Sequence, residues 1–338
     1  MADGKHTDRI AWVDLAKGIC MILVVWIHVR LHYRSFQFVK FNWVALVCYY
    51  FRMPLYFFLS GLFFKTYGSY RTFLVKKTNN LAIPFLAAAG IAIAIQALRL
   101  YFTEGTLQRL PSLAAGIYPI APIWFLLCLF WINQIFYGTH TLTKGTWWLL
   151  YPLCIALGVL GFHTNVLPFW LHLEAAFTAL PFFVAGYAMR QHTTFLLDKP
   201  RYLNDVVLIA ALIVLLNAIA RKYHAHILYD RNTYRVPLWA LYVGGLIGTY
   251  AVFLASRIIR WLPIISYIGR YSIIVLITHH IFITALSRPT LARIVTFCGS
   301  GKTAVIVTTA AILLLSVPVI YLCKRFLPHI FAQKPVIK

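Results

Sequence analysis

Long apolar runs separated by short polar segments dominate this chain. Ten of them lie at about 12–32, 41–64, 81–102, 120–137, 146–163, 171–190, 204–221, 236–256, 265–286 and 303–323. Each is close to the ~20 residues that a helix needs to cross a ~30 Å hydrocarbon layer. The pattern predicts an all-α polytopic membrane protein with about ten transmembrane helices. The connections are short, so residues 1–338 read as one integral-membrane domain, with no internal repeat and no low-complexity tract. Pro54 lies inside the second run and is predicted to kink or break it, because proline removes a backbone donor. Broken helices at membrane depth tend to line cavities. Gly244 and Gly248 have the GxxxG spacing that favours close helix packing.

Composition agrees with this class: 61% of residues are hydrophobic and 12% charged. Only eight acids balance 31 Lys and Arg, a net charge of +23. In a soluble chain that excess points to nucleic acid. Here the bases fall mostly between apolar runs, which fits lipid headgroups and topology signals, and no nucleic-acid partner is expected. Basic residues divide 16 to 12 in favour of the segments that share a side with the termini, which favours an N-in, C-in topology. The six cysteines show no metal-type spacing and no disulfide framework, and no metal is expected. The first run carries Asp14 and Lys17 and has no small-x-small site after it, so it does not read as a cleavable signal.

Ionisable groups inside apolar runs are costly and mark functional sites by default. The first run holds Asp14, Lys17 and His28. Lys17 and His28 are eleven positions apart, which on an α-helix is about 20° from a common face and roughly 16 Å along the axis. Asp14 falls about 40° from His28 on the same stripe. Arg52 is a cation well inside the second run, two residues before Pro54; it either snorkels to an interface or serves a site. Pro122 suits a helix start, and Trp124 an interfacial anchor. Glu174 is the only carboxylate deep in any other run, two residues after His172. A structural ion pair and a catalytic role are equally open to it. In the ninth run, Ser272 and His279 share a face, while His280 points about 100° away beside them. Arg270 begins that segment. His224 and His226 sit with Lys222, Asp230, Arg231 and Arg235 in a loop outside the membrane, either solvated or against an acceptor.

Together these segments resemble the membrane-bound acyltransferase-3 family. The family's first helix carries a basic residue, ten intervening positions and a histidine, matched here by Lys17 and His28; Lys is a variant of the more usual Arg. Phe51-Arg-Met-Pro-Leu-Tyr-Phe-Phe-Leu-Ser-Gly61 is similar to its second-helix signature. Pro122, Trp124, Phe125 and Leu126 are similar to its Trp-Phe-Leu segment, and Gly269 through His279 to its late Gly-x-x-Ser…His segment. Leu180 through Gly186 resembles the branch of small, sugar-directed O-acetylases.

The resemblance implies transfer of an acyl group, usually acetyl from acetyl-CoA, to a hydroxyl of a cell-envelope glycan or lipid-linked saccharide, in a bacterial plasma membrane. His28 is then the leading general base, or alternatively the carrier of a covalent acyl group. Lys17 would bind CoA phosphates, Arg52 a phosphate or the developing oxyanion, and Asp14 would pair with Lys17. His279 would orient the acceptor or share in proton transfer. Glu174 joins the catalytic candidates; Trp124 and Arg270 join the cofactor-binding ones. Membrane lipids are the remaining partner. The rival reading is a proton-coupled secondary transporter or exporter, which would use the same buried ionisable groups.

Overall fold

The computed structural model describes residues 11–40, 43–105, 123–164, 172–192, 200–224 and 226–337. Pro122 lies outside the described residues. All ten apolar runs carry helix. α1 spans Ala11–Ser35, α2 Trp43–Leu62, α3 Tyr70–Lys77 and α4 Ile83–Glu104, with a π-helical turn Thr78–Ala82 joining the last two. α5 is Trp124–Leu142, α6 Trp147–His163, α7 Leu173–His192 and α8 Tyr202–Tyr223. A two-stranded antiparallel hairpin follows: β1 Ile227–Leu228, a 3-10 turn Tyr229–Arg231, and β2 Thr233–Tyr234. Then come α9 Leu238–Ile259, α10 Pro263–Arg270, α11 Ser272–Thr284, α12 Arg288–Cys298 and α13 Gly301–Phe326.

Local chemistry explains several ends. Ser69, Ser287 and Ser300 each accept a hydrogen bond from the backbone N–H three residues on, which starts α3, α12 and α13. His32 and Arg34 lie in the last turn of α1, where positive charge suits the helix dipole.

Among the described residues, six helices are long and apolar enough to cross a membrane, or seven if the pair α10 and α11 counts as one broken span. The expected count of ten does not follow from length and composition. α6 has 17 residues, about 26 Å of helix, short of the ~30 Å core. α5 carries Asn133, Gln134, Thr139 and His140, and α7 carries Glu174, Arg190 and Gln191, so their apolar stretches are diluted.

The break falls elsewhere than predicted. Pro54 sits within a continuous α2. The expected single span over 265–286 is instead bent by 95° between α10 and α11, at Tyr271. Lys324 of α13 donates to the Tyr271 hydroxyl at 2.7 Å and lies 4.3 Å from the centre of its ring, tying the break to the last helix.

Two glycine crossings hold the bundle together. Gly18 of α1 lies on the Ile265 backbone, and Gly269 of α10 lies on the Asp14 carbonyl and the Gly18 nitrogen. Gly61 of α2 meets the Phe183 backbone, and Gly186 of α7 meets the Phe58 carbonyl and Leu62 nitrogen. Any side chain at these four positions would strike main chain. The GxxxG pair of α9 works differently. Gly244 accommodates the Tyr50 ring and Gly248 the Phe51 ring, so this face receives aromatic side chains of α2 rather than another backbone. α1 and α2 run antiparallel: the Cys20 thiol donates to the Arg52 carbonyl at 2.6 Å, and the Tyr56 hydroxyl to the Lys17 carbonyl at 3.1 Å.

Candidate active site

A cavity of about 650 Å³ lies between α1, α2, α5, α11 and the hairpin. α1 contributes Lys17, Met21, Val24, His28 and Leu31, then Arg34. Their spacing alternates four and three, so they form one stripe down the helix. From Lys17 to Arg34 that stripe is about 25 Å long, most of the thickness of a ~30 Å hydrocarbon core. α2 supplies a second stripe: Leu46, Tyr49, Met53, Tyr56 and Ser60, with Arg52 beside it. Trp124 and Phe125 close the cavity from α5, and Ser272 and Leu276 from α11.

Charge is unbalanced along this wall. Lys17, Arg34 and Arg52 are its fixed cations, and among the described residues Asp230 is its one acid. A cavity whose lining carries more positive than negative charge favours an anionic ligand. Arg52 Nε is buried and has no hydrogen-bond partner among the described residues, while its guanidinium lies 4.8 Å from the centre of the Tyr49 ring. A guanidinium held this way keeps donors in reserve for something that enters the cavity.

His28 is set up by its own helix. Its Nδ1 lies 2.8 Å from the Val24 carbonyl oxygen, which only accepts, so Nδ1 carries the proton. In the neutral ring Nε2 is then the basic nitrogen. His279 repeats this arrangement on α11: Nδ1 donates to the Val275 carbonyl at 2.8 Å, and Nε2 is buried without a partner among the described residues. The two imidazoles are 5.3 Å apart between ring centres, and His280 lies 6.3 Å from His28. His279 is fully buried behind the wall; His28 faces the cavity. The bend at Tyr271 is what turns α11 so that Ser272 and Leu276 reach the cavity and His279 reaches His28.

Of the residues singled out in the sequence, Lys17, His28, Arg52 and Trp124 line the one cavity. Asp14, Glu174 and Arg270 do not. Asp14 is buried on the side of α1 that α10 packs against, about 60° round the helix from Lys17. Glu174 is buried in the first turn of α7, where its carbonyl accepts from Thr178. Arg270 is exposed at the end of α10, its guanidinium 5.5 Å from the Tyr271 ring centre.

Sequence reasoning missed Tyr49, Tyr56 and Ser60, although the four-and-three spacing around Arg52 signals them. It also placed His224, His226 and Asp230 in an external loop. The structure folds that segment inward: His224, His226 and Ile227 through Asp230 form part of the cavity wall. Ile227 and Tyr229 are only 2% and 3% exposed.

An integral-membrane protein whose helices enclose a long, cationic cavity with a histidine on its wall is thereby defined. The acyltransferase-3 family model, described as an acyltransferase domain, matches residues 10–325. The chain belongs to that family and is a membrane acyltransferase. No curated protein and no solved structure matches it.

Proposed function

We propose that the protein transfers an acetyl group from cytoplasmic acetyl-CoA to a hydroxyl of a cell-envelope glycan or lipid-linked sugar, with His28 as general base. The observation that carries this reading is the orientation of His28. Its Nδ1–H is committed to the Val24 carbonyl, which leaves Nε2 as the acceptor on a cavity wall. The cation distribution supports the donor. Lys17 would hold CoA phosphates at one end, about 16 Å along α1 from His28, and the thioester would lie deeper.

The residues support a simple sequence. His28 Nε2 takes the proton of the acceptor hydroxyl as its oxygen bonds to the thioester carbonyl carbon. Arg52, with its unpartnered Nε, stabilises the negative charge that develops on the carbonyl oxygen. The carbon–sulfur bond then breaks, and His28 returns the proton to the CoA sulfur. His279, 5.3 Å away with an unpartnered Nε2, helps to stabilise the imidazolium. Location in a bacterial plasma membrane, with the Lys17 end facing the cytoplasm, completes the proposal.

The test is His28→Gln. General-base catalysis contributes about 10²- to 10⁴-fold. The variant is expected to lose that much acetyl transfer from labelled acetyl-CoA while binding acetyl-CoA as wild type does in calorimetric titration. Retained turnover removes His28 from the mechanism.

A further inference from the structure

We infer that the Arg34 end of the cavity is an oxyanion subsite, in which Arg34, His224 and His226 receive a phosphate or carboxylate carried by the acceptor. The acceptor is then an acidic saccharide. This rests on the acyl-transfer reading above and names the class of its second substrate.

Separate parts of the chain meet there. Arg34 lies in the last turn of α1. Because α1 and α2 are antiparallel, the start of α2 lies at the same end. α8 finishes where α2 and α9 begin: Arg221 lies 5.7 Å from the Trp43 ring centre, and Tyr223 lies 5.4 Å from the Trp239 ring centre. His224 follows at once as the cap of α8, with φ of 42° and its N–H donating to the Ala220 carbonyl at 3.0 Å. His226 precedes β1, and its carbonyl accepts from the Arg235 N–H at 2.9 Å. The backbone that presents both imidazoles is therefore tied down.

Arg34, His224 and His226 all line the cavity, and none of their side chains has a hydrogen-bond or ion-pair partner among the described residues. Arg30 adds to the charge behind them. It is 4% exposed, its Nη2 donates to the Lys40 carbonyl at 2.9 Å, and it lies near enough to Arg34 for the two like charges to interact. No acid on the cavity wall offsets them at this end. Asp230, the one acid there among the described residues, lies deep, beside Tyr229, whose ring is 5.9 Å from that of Phe57. Phe57 is about 21 Å along α2 from Trp43. The Asp230 carboxylate is 4.0 Å from Arg231 Nε, and its charge acts on Arg52 rather than on Arg34. Like charges held close together are costly, and a bound anion offsets that cost. With the Lys17 end in the cytoplasm, these cations lie on the outer side, where topology signals do not call for them.

Both ends of the cavity attract anions, but their distances from the base differ. Lys17 is about 16 Å along α1 from His28, and Arg34 about 9 Å on the other side. In CoA the long pantetheine arm separates the phosphates from the thioester, so the donor suits the longer interval. The shorter one suits an anionic group on the sugar that is acylated, or on its neighbour. The donor set fits an oxyanion as well: a guanidinium presents a fork matched to phosphate or carboxylate, and each imidazole offers an N–H beside it.

The experiment uses the full chain in phosphatidylcholine vesicles, wild type beside Arg34→Gln, Arg34→Lys and the double variant His224→Gln with His226→Gln. The vesicles receive radiolabelled acetyl-CoA. The acceptor probe is the envelope glycan of the cells that carry the gene, de-O-acylated by mild alkali. It is used as such and after neutralisation, with carboxyl groups reduced and phosphate monoesters removed by phosphatase. Loss of a hydrogen bond to a charged group is worth about tenfold or more. The apparent KM for the untreated glycan is therefore expected to rise at least tenfold in Arg34→Gln and less in the histidine variant, with Arg34→Lys close to wild type. Neutralised glycan should show a raised KM in wild type and no further rise in Arg34→Gln. Binding of acetyl-CoA by titration should change less than twofold throughout. Equal KM values for untreated glycan in wild type and Arg34→Gln overturn the inference, as does a wild type that uses neutralised glycan equally well. Weakened acetyl-CoA binding in Arg34→Gln assigns this end to the donor and also overturns it. An Arg34 effect that appears only when phosphatidylglycerol is added to the vesicles assigns the site to a lipid headgroup instead. Wild type that binds acetyl-CoA but labels neither glycan removes the glycan acceptor and this subsite with it. Wild type that does not bind acetyl-CoA removes the parent reading.

Discussion

Gly269→Ala and Gly90→Ala make the same chemical change and should move stability in opposite directions. At Gly269 a methyl group would sit 2.9 Å from the Asp14 carbonyl carbon and closer still to the Asp14 oxygen. Ordinary carbon contacts are about 3.5–4.0 Å. The obstacle is main chain of α1, which has no rotamer to change, so α1 and α10 must separate by roughly 1 Å along a tightly packed crossing. Overpacking of this kind costs about 1–3 kcal/mol. At Gly90, in the interior of α4, the same methyl meets nothing within 4 Å. There alanine gains about 0.5–1 kcal/mol from its better helix propensity. The two variants should therefore differ by about 1.5–4 kcal/mol. Reversible unfolding in mixed micelles, followed by tryptophan fluorescence, measures that difference. Gly269→Ala should also lower acyl transfer, because α10 carries the bend that aims Ser272 and His279. Equal stabilities, or a Gly90→Ala variant as unstable as Gly269→Ala, would refute the argument from backbone contact.

Lys17→Ala should raise the dissociation constant for acetyl-CoA about 10- to 150-fold, the value of ~1.5–3 kcal/mol for a hydrogen bond to a charged group. Its turnover at saturating acetyl-CoA should stay near wild type; a deficit that saturation does not correct would place Lys17 in the chemistry. Glu174→Gln should keep turnover within about threefold, since Glu174 lies outside the cavity wall, and a catalytic loss of the size general acid–base groups give, ~10²-fold or more, would contradict that placement. Asn79, in the π-helical turn, donates to the Ile337 and Val75 carbonyls and accepts from the Val336 and Ile337 amides. Asn79→Ala should release the C-terminal tail, seen as faster hydrogen exchange at Val336 and Ile337 by mass spectrometry; unchanged exchange would show that the tail is held by other contacts.

The sequence by itself determined the helical membrane class, the position of each apolar helix and the common face of Lys17 and His28. These are properties of local periodicity: an eleven-residue spacing must bring two side chains to nearly the same side of an α-helix, whatever surrounds it. The same local rule gave the wrong place for the helix break. Proline inside a helix removes one bond, but neighbours can absorb that loss, and Pro54 packs against Gly245 of α9 within an unbroken α2. The 95° bend at Tyr271 has no such single-residue cause; Lys324, fifty-three positions away, helps to hold it.

Only the tertiary structure decided which buried ionisable groups share a site. Asp14 and Lys17 differ by three positions, yet one faces α10 and the other the cavity, because the glycine crossing at Gly18 and Gly269 fixes the rotation of α1. Glu174 and Arg52 are both charged groups in apolar helices, but only Arg52 reaches the cavity wall. The polar segment after α8 reads as a solvated loop, and periodicity offers nothing against that reading. Its place inside the protein depends on Asn232 finding the open carbonyls of α6 and a hydroxyl of α7, partners 54 to 71 residues away in the chain. Helices arise from neighbours in sequence and are legible there; the cavity arises from how their faces are turned toward one another, and that is settled by contacts between residues far apart.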